Sequence, residues 1–173
     1  MMRRMFSLVA VLCAAFSIRS EIHAQTTVSE RGSYLNVGMG FPYSYGWAYR
    51  SSFLLQVSGY YAFKQVGPGV FAVGGLTGLG FWDHHGKDGV RGTAVGVPAV
   101  ARLRYHYDWG VQNLDTHVGI SLGLGVHTFG QVIYPLGGFH FGAQYFFTNT
   151  IGVFADLGWD VSSVALGLAV KLK

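Results

Sequence analysis

The sequence predicts an all-β fold: an eight-stranded antiparallel up-and-down transmembrane β-barrel, preceded by a cleavable signal peptide. Two features of composition favour it, because charged residues make up only 12% of the chain and glycine occurs 26 times. A soluble domain usually has about twice that charged fraction. The third feature is alternation of apolar with small or polar residues along eight segments. Beyond the signal there is no apolar run of the roughly 20 residues that a spanning helix needs, which leaves the closed barrel.

The segment 116–128, THVGISLGLGVHT, shows the alternation most clearly. Its even positions carry aliphatic residues or threonine, and its odd positions carry glycine, serine or histidine. This period of two is typical of a β-strand with two unlike faces. The second face has too little polar surface to meet bulk water and too little bulk to form a wide core. A narrow barrel accommodates both faces, with aliphatic side chains toward lipid and small or polar ones inside.

Seven further segments alternate in the same way. Each reaches the ~9 residues that a tilted membrane strand requires. An even number of strands places both termini on one side of the membrane, with the longer connections 42–52, 83–91 and 129–135 on the other. Pro98 is unfavourable for the ladder of its strand, since it has no N–H group to donate. The predicted strands are 33–41, 53–64, 70–82, 93–107, 136–147, 151–159 and 163–173.

Residues 1–24 read as a secretory signal peptide. Arg3 and Arg4 precede an apolar run and a short polar stretch, and the pattern predicts cleavage between Ala24 and Gln25. The barrel domain would then comprise residues 25–173. Cys13, the only cysteine, leaves with the signal, so the mature chain would have no disulfide and no thiolate chemistry. The net charge of the predicted mature chain is close to zero, which does not support nucleic-acid binding.

Ionisable residues on the inner face are predicted to fill the barrel as a plug of salt bridges and hydrogen bonds, since eight strands enclose little more than side chains. Arg102 or Arg104 should bond to Asp156, a backbone carbonyl or trapped water, because a buried cation needs a partner. Strand direction argues against a direct pair with Asp156. Lys64, His127 and Lys171 are predicted to share the inner face. The predicted polar network comprises Arg102, Arg104, His106, His117, His140, Gln144 and Asp156.

Aromatic residues cluster at the ends of the segments. Amphipathic rings prefer the two membrane interfaces, so this clustering predicts a pair of girdles. A tyrosine cluster in a loop could instead bind a ligand or partner, and loops 42–52 and 83–91 are the candidate places for a surface ligand. The predicted girdle comprises Phe41, Trp82, Tyr105, Tyr107, Tyr145, Phe147 and Trp159.

The glycine-rich segments GVFAVGGLTGLGF and TIGVFADLGWD, within the eight-strand pattern, resemble the small outer-membrane β-barrel proteins of Gram-negative bacteria, the OmpX/OmpA-type family. The resemblance covers about residues 31–173 and rests on the pattern as a whole. It implies an outer-membrane location, periplasmic termini, and contacts with outer-membrane lipid, lipopolysaccharide and the barrel assembly machinery. Members of that family usually end in an aromatic residue, whereas this chain ends Val170-Lys171-Leu172-Lys173.

Motifs for site chemistry are weak. The glycine runs are not followed by a helix pattern, as a phosphate-binding loop requires. His84 and His85, with acidic residues nearby, fit a polar surface loop better than a metal site. Ser121 has glycines beside it on its face and no acid in its predicted strand, which argues against an esterase. We therefore expect no catalytic residue, no cofactor and no metal.

The leading functional prediction is a non-enzymatic outer-membrane barrel with a side-chain-filled interior and a structural or surface-interaction role. Two alternatives stay open: a narrow channel for small ions, protons or water, and an enzyme that modifies outer-leaflet lipid. A soluble eight-stranded binding protein of the lipocalin kind competes for the fold. It would need a hydrophilic outer face, which neither face of the segments supplies.

Overall fold

The computed structural model describes residues 31–43, 52–85, 91–128 and 132–172. The predicted signal peptide and its cleavage position at Ala24 and Gln25 lie outside these ranges. No helix in the described ranges is long and apolar enough to cross a membrane. The described strands are β1 (Ser33–Tyr43), β2 (Ser52–Val66), β3 (Gly69–His85), β4 (Arg91–Tyr107), β5 (Leu114–His127), β6 (Val132–Phe146), β7 (Ile151–Gly158) and β8 (Ser162–Leu172).

Each strand pairs antiparallel with its neighbours in sequence, and β8 pairs with β1, so the sheet is a closed barrel with up-and-down order. This confirms the predicted fold class. All eight predicted segments are strands, and their bounds differ from the prediction by a few residues at most ends. The largest extension is at the start of β6, which begins at Val132 instead of residue 136.

The strands are tilted, as closure of a barrel requires. Ser33 at the start of β1 begins a path of paired residues that circles the wall and returns to β1 near Tyr43, which pairs with Ser162. Because the path begins at Ser33 and returns near Tyr43, paired residues on successive strands lie at gradually changing depths in the barrel. Along that path the paired residues are Tyr61, Val73, Leu103, Ile120 and Phe139, and the Trp159 N–H then donates to the Phe139 carbonyl at 2.8 Å.

The two faces of the wall differ as the alternation predicts. On β5, Leu122 is 75% exposed and Ile120 60%, whereas His117 is 2% exposed. Aliphatic and aromatic side chains are also exposed on the outer faces of all seven remaining strands. The result is an apolar exterior around a barrel whose polar side chains point inward. Among the exposed apolar residues are Val37, Leu55, Val73, Val97, Ile133, Phe139, Val153 and Leu166.

Two apolar clusters occupy the interior, one toward each end. The first lies toward the turns β2–β3 and β6–β7 and comprises Tyr34, Tyr60, Ala62, Val70, Ala72, Phe146, Phe154, Ala165 and Ala169. The second lies toward the opposite end and comprises Leu54, Leu76, Trp82, Ala94, Val100, Tyr134, Leu136 and Val161. Buried polar side chains, most of them on the β4 to β7 part of the wall, fill the space beside and between them.

Pro98 interrupts the ladder between β3 and β4, as its missing N–H leads one to expect. Pairing stops after Thr77 and Ala99 and resumes at Gly80 and Gly96. Within the gap, the Thr77 hydroxyl donates to the Pro98 carbonyl at 2.8 Å, so a side chain supplies a bond that the backbone does not.

The inward prediction for Lys64 is wrong. The register between β2 and β3 shifts between Ala62 and Lys64, which marks a β-bulge at Phe63. One extra residue in a strand reverses the alternation beyond it. Phe63 and Lys64 are accordingly both exposed, whereas Ala62 is fully buried.

The girdle prediction is wrong for Trp82. Its side chain is 3% exposed, and its ring meets that of His127 edge-on at 5.9 Å. Adjacent residues on a strand face opposite ways, and here Phe81 faces outward, where it stacks on Phe53 at 5.0 Å. Of the other girdle residues, Phe41, Tyr145, Phe147 and Trp159 are exposed, and Tyr105 and Tyr107 are half-buried.

Candidate functional site

Most of the polar interior is assembled from four neighbouring strands, β4 to β7, and from the connection after β7. Alternation on β4 points Arg102, Arg104 and His106 inward, and β5 contributes Asp115, His117 and Ser121. Register places His106 opposite His117, which in turn pairs with Gly142 of β6. Gly142 pairs with Asp156 of β7, so a bare position separates the histidine from the carboxylate. We call the buried set the interior polar network: Arg102, Arg104, His106, Asp115, His117, Ser121, His140, Gln144, Asp156 and Asp160.

Arg104 is the centre of this network and is fully buried. Its Nη2 lies 2.6 Å from Asp156 Oδ2, and its Nε donates to His140 Nε2 at 3.0 Å. The guanidinium carbon lies 3.9 Å from the centre of the Tyr60 ring, a cation–π contact. The direct pair with Asp156 therefore forms, contrary to the argument from strand direction. The register connects Asp156 through Gly142 and His117 to His106, and the tilt of the strands brings it within reach of Arg104, one inward position from His106.

Arg102 forms the second buried ion pair. Its Nη2 donates to Asp160 Oδ2, and its Nη1 donates to the Tyr60 hydroxyl at 3.2 Å. Its Nη1 also lies 3.7 Å from Asp156 Oδ2, which links the two ion pairs. Tyr60 thus contacts both arginines, one through its hydroxyl and one through its ring.

Ser121, His140 and Asp160 converge in the interior, although the sequence places no acid near this serine. Ser121 Oγ donates to Asp160 Oδ2 at 2.7 Å and lies 3.3 Å from His140 Nδ1. Arginine can only donate, so the contact from Arg104 makes His140 Nε2 an acceptor, and a neutral His140 then carries its proton on Nδ1. A catalytic base would need a lone pair toward the serine. The arrangement is therefore a hydrogen-bonded bridge and not a relay from serine through histidine to acid.

His106 and His117 are each oriented by a carboxylate. His106 Nδ1 donates to Asp115 Oδ2 at 2.8 Å, and His117 Nε2 donates to Asp156 Oδ1 at 3.0 Å. The two ring centres are 5.2 Å apart. Both side chains are at least 97% buried. Their remaining nitrogens, His106 Nε2 and His117 Nδ1, have no hydrogen-bond partner among the described residues.

The structure places all seven residues of the predicted network in the interior, where each is at most 5% exposed. Six of them join contacts within it, whereas Gln144 Oε1 has no hydrogen-bond partner in the described part of the chain. The prediction missed Asp115 and Asp160 because it started β5 at residue 116 and treated 160–162 as a loop. The alternation, extended by one inward position beyond each predicted segment, from His117 to Asp115 and from Gly158 to Asp160, includes both.

The loop candidates lie largely outside the described residues. The backbone of β3 reaches His85, but the side chains of Asp83, His84 and His85 are not described, and residues 44–51 and 86–90 lie outside the described ranges. The surface-ligand sites predicted for loops 42–52 and 83–91 therefore stay predictions.

No protein-family model matches the chain, and no curated protein matches it. A solved structure from the de novo design of transmembrane β-barrels is similar to it, with 18% sequence identity and a TM-score of 0.45. The match covers 84% of this chain and 98% of that one. The fold described above rests on the strand pairing itself.

Proposed function

We propose that this chain is a non-enzymatic integral outer-membrane protein, a closed barrel with a filled interior and a structural or surface-interaction role. The observation that carries the proposal is the apolar exterior of a barrel whose polar side chains are buried. A water-soluble barrel of this size would invert that arrangement, with charged or hydroxylated residues outside.

The size of the apolar surface supports lipid as the surrounding medium. Soluble monomers rarely expose contiguous apolar patches beyond a few hundred Å². Here Val118, Ile120, Leu122, Leu124 and Val126 expose between 47% and 75% of their surface along one strand alone. Removing a large aliphatic side chain from water is worth about 1.5–3 kcal/mol. A belt of such residues on eight strands therefore favours a hydrocarbon environment strongly.

The proposed orientation places the termini in the periplasm, together with the connections 67–68, 108–113 and 147–150. The opposite end then faces outward and carries the connections 44–51, 86–90, 128–131 and 159–161. In this proposal the wall contacts outer-membrane lipid and lipopolysaccharide, the assembly machinery inserts the chain, and loops 42–52 and 83–91 are available to a surface ligand.

A filled interior favours a structural role over a channel. Toward the outward end, the cluster around Leu54, Trp82, Tyr134 and Val161 packs across the barrel. Toward the other end, apolar side chains and the interior polar network share the space. In the described residues, the ionisable groups of the network bond to one another. Ions would have to break these bonds in order to pass.

Gel mobility of the membrane fraction tests this proposal. The protein should sediment with the outer membrane and migrate faster before boiling than after it, as a folded barrel does. Recovery in the soluble fraction, without a shift on boiling, would overturn the proposal. Steady conductance in a planar bilayer would instead favour the channel, and an altered outer-leaflet lipid profile in cells that lack the protein would favour the enzyme.

A further inference from the structure

The histidine pair near one end of the barrel has the features of a metal site. His106 lies one residue before the end of β4, and Asp115 lies one residue after the start of β5. Each of His106, Asp115 and His117 offers a ligand atom, and these three atoms lie within 4.8 Å of one another. Two imidazoles and one carboxylate are a donor set that suits zinc and similar divalent cations.

The tautomers leave a lone pair on each ring. Because carboxylates accept from His106 Nδ1 and His117 Nε2, the neutral rings carry their protons on those atoms. The other nitrogens, His106 Nε2 and His117 Nδ1, are then unprotonated, and neither has a hydrogen-bond partner in the described part of the protein. A metal-binding histidine typically donates its other N–H to a carboxylate, which orients the ring and raises its basicity. Asp156 holds His117 in this way.

The buried charges also favour a cation. Among the described residues, the buried acids are Asp115, Asp156 and Asp160, and the buried guanidinium groups are those of Arg102 and Arg104. With neutral histidines the network therefore has one carboxylate in excess. Lys171 is half-buried and interacts electrostatically with Asp115, while its ammonium lies over the Phe146 ring, 4.2 Å from its centre, so it offsets this excess only in part. Uncompensated buried charge is costly, and a bound cation would offset it.

We propose that His106, His117 and Asp115 bind one divalent cation of the zinc class inside the barrel, close to the β4–β5 turn. On binding, His106 carries its proton on Nε2 instead of Nδ1, so that Nδ1 and the Asp115 carboxylate, which lie 2.8 Å apart, both coordinate the cation. His117 coordinates through Nδ1, which has no hydrogen-bond partner among the described residues. The position near the strand ends gives the cation a short route from the end that carries this turn. Magnesium and calcium, which prefer oxygen ligands alone, bind there much more weakly.

Zinc titration of the tag-free protein in detergent micelles, after removal of metals with a chelator, tests the site. Isothermal titration calorimetry should show one zinc ion bound per chain, and magnesium should release little or no heat of binding. His106→Gln and His117→Gln should each weaken zinc binding by more than about 100-fold, since even loss of an outer hydrogen-bond partner costs about 10–100-fold. His127→Gln is the matched control, because this histidine is buried toward the opposite end of the barrel and should leave binding unchanged.

The loop histidines need their own control. A His84→Gln/His85→Gln variant should also bind zinc like the unaltered protein, and loss of binding in that variant alone would overturn the proposal. Absence of zinc binding to the unaltered protein would overturn it as well. If the interior variants fail to fold, X-ray absorption of the zinc-loaded unaltered protein decides: two imidazole ligands support the site, and an all-oxygen shell contradicts it.

Discussion

Arg104 and Asp156 are 52 positions apart and lie on strands separated by two others, yet Nη2 and Oδ2 meet at 2.6 Å inside the barrel. His117 Nε2 donates to the other oxygen of the same carboxylate. Asp156 is thus the acceptor that joins β4, β5 and β7 across the lumen. The buried charges of the narrow interior are therefore joined to one another by hydrogen bonds and ion pairs.

Replacement of Asp156 by asparagine should destabilise the barrel strongly. The change leaves the buried Arg104 without its counter-ion, and breaking one side of a buried ion pair typically costs about 3–5 kcal/mol. Urea unfolding in lipid vesicles measures the change. Asp108→Asn is the control, since Asp108 lies in a turn, where its Oδ1 accepts from the Gly110 N–H, and asparagine can accept the same bond. Equal stability of the two variants would contradict the role given to Asp156.

A charge on the outer face should be costly only at membrane depth. Leu122 lies in the middle of β5 and is 75% exposed, whereas Val111 is 50% exposed in the turn before β5. Leu122→Arg should make folding into vesicles less favourable by about 2–4 kcal/mol, and Val111→Arg by about 0–1 kcal/mol. The same small effect at both positions would show that the wall around Leu122 does not lie in hydrocarbon.

Gly142 should not tolerate a side chain. A Cβ at this position would overlap the Ala155 carbonyl and Asp156 Oδ1, the atom that accepts from His117. Gly142→Ala should therefore destabilise the protein by about 1–3 kcal/mol, as overpacking of a core typically does. Gly59→Ala serves as the reference, because the nearest atom to its Cβ would be the Tyr34 carbonyl oxygen at 3.9 Å. Unfolding of both variants under the same conditions compares them, and a Gly142 variant as stable as the Gly59 variant would be evidence against the tight fit.

The two tryptophans on opposite faces should respond differently to truncation. Trp82 is 3% exposed and packs in the interior, and Trp159 is 77% exposed. Trp82→Ala should cost about 3–5 kcal/mol through the cavity it leaves. In detergent micelles Trp159→Ala should cost far less. The midpoint of thermal unfolding, measured from the gel-mobility shift, ranks the two variants. The reverse order would indicate that Trp82 lies on the outer face.

The strands could be predicted from sequence because each residue on a barrel strand meets either the outer medium or a narrow lumen. In segments such as 116–128 the residue type at each position matches one of these two environments, so the period of two is unambiguous. The alternation could not reveal the bulge at Phe63, since one added residue changes the faces beyond it without changing the composition.

The membership of the polar interior was predictable, but its pairing was not. Alternation alone points Arg102 and Arg104 inward. The Arg104–Asp156 pair depends on the tilt of the strands and on the register of the short strand β7, which no local pattern encodes. Asp160 continues the alternation of β7 just beyond the predicted end of that strand, but its bonds to Arg102 and Ser121 depend on the closed wall.

Fluorescence quenching by lipids with brominated chains tests the central claim most directly. Two variants are compared in vesicles, one that keeps Trp159 as its single tryptophan and one that keeps Trp82. If the apolar exterior lies in the membrane around a filled barrel, the lipid-borne bromines should quench Trp159 strongly and Trp82 weakly. Weak quenching of Trp159, or quenching of Trp82 to the same degree, would contradict this account.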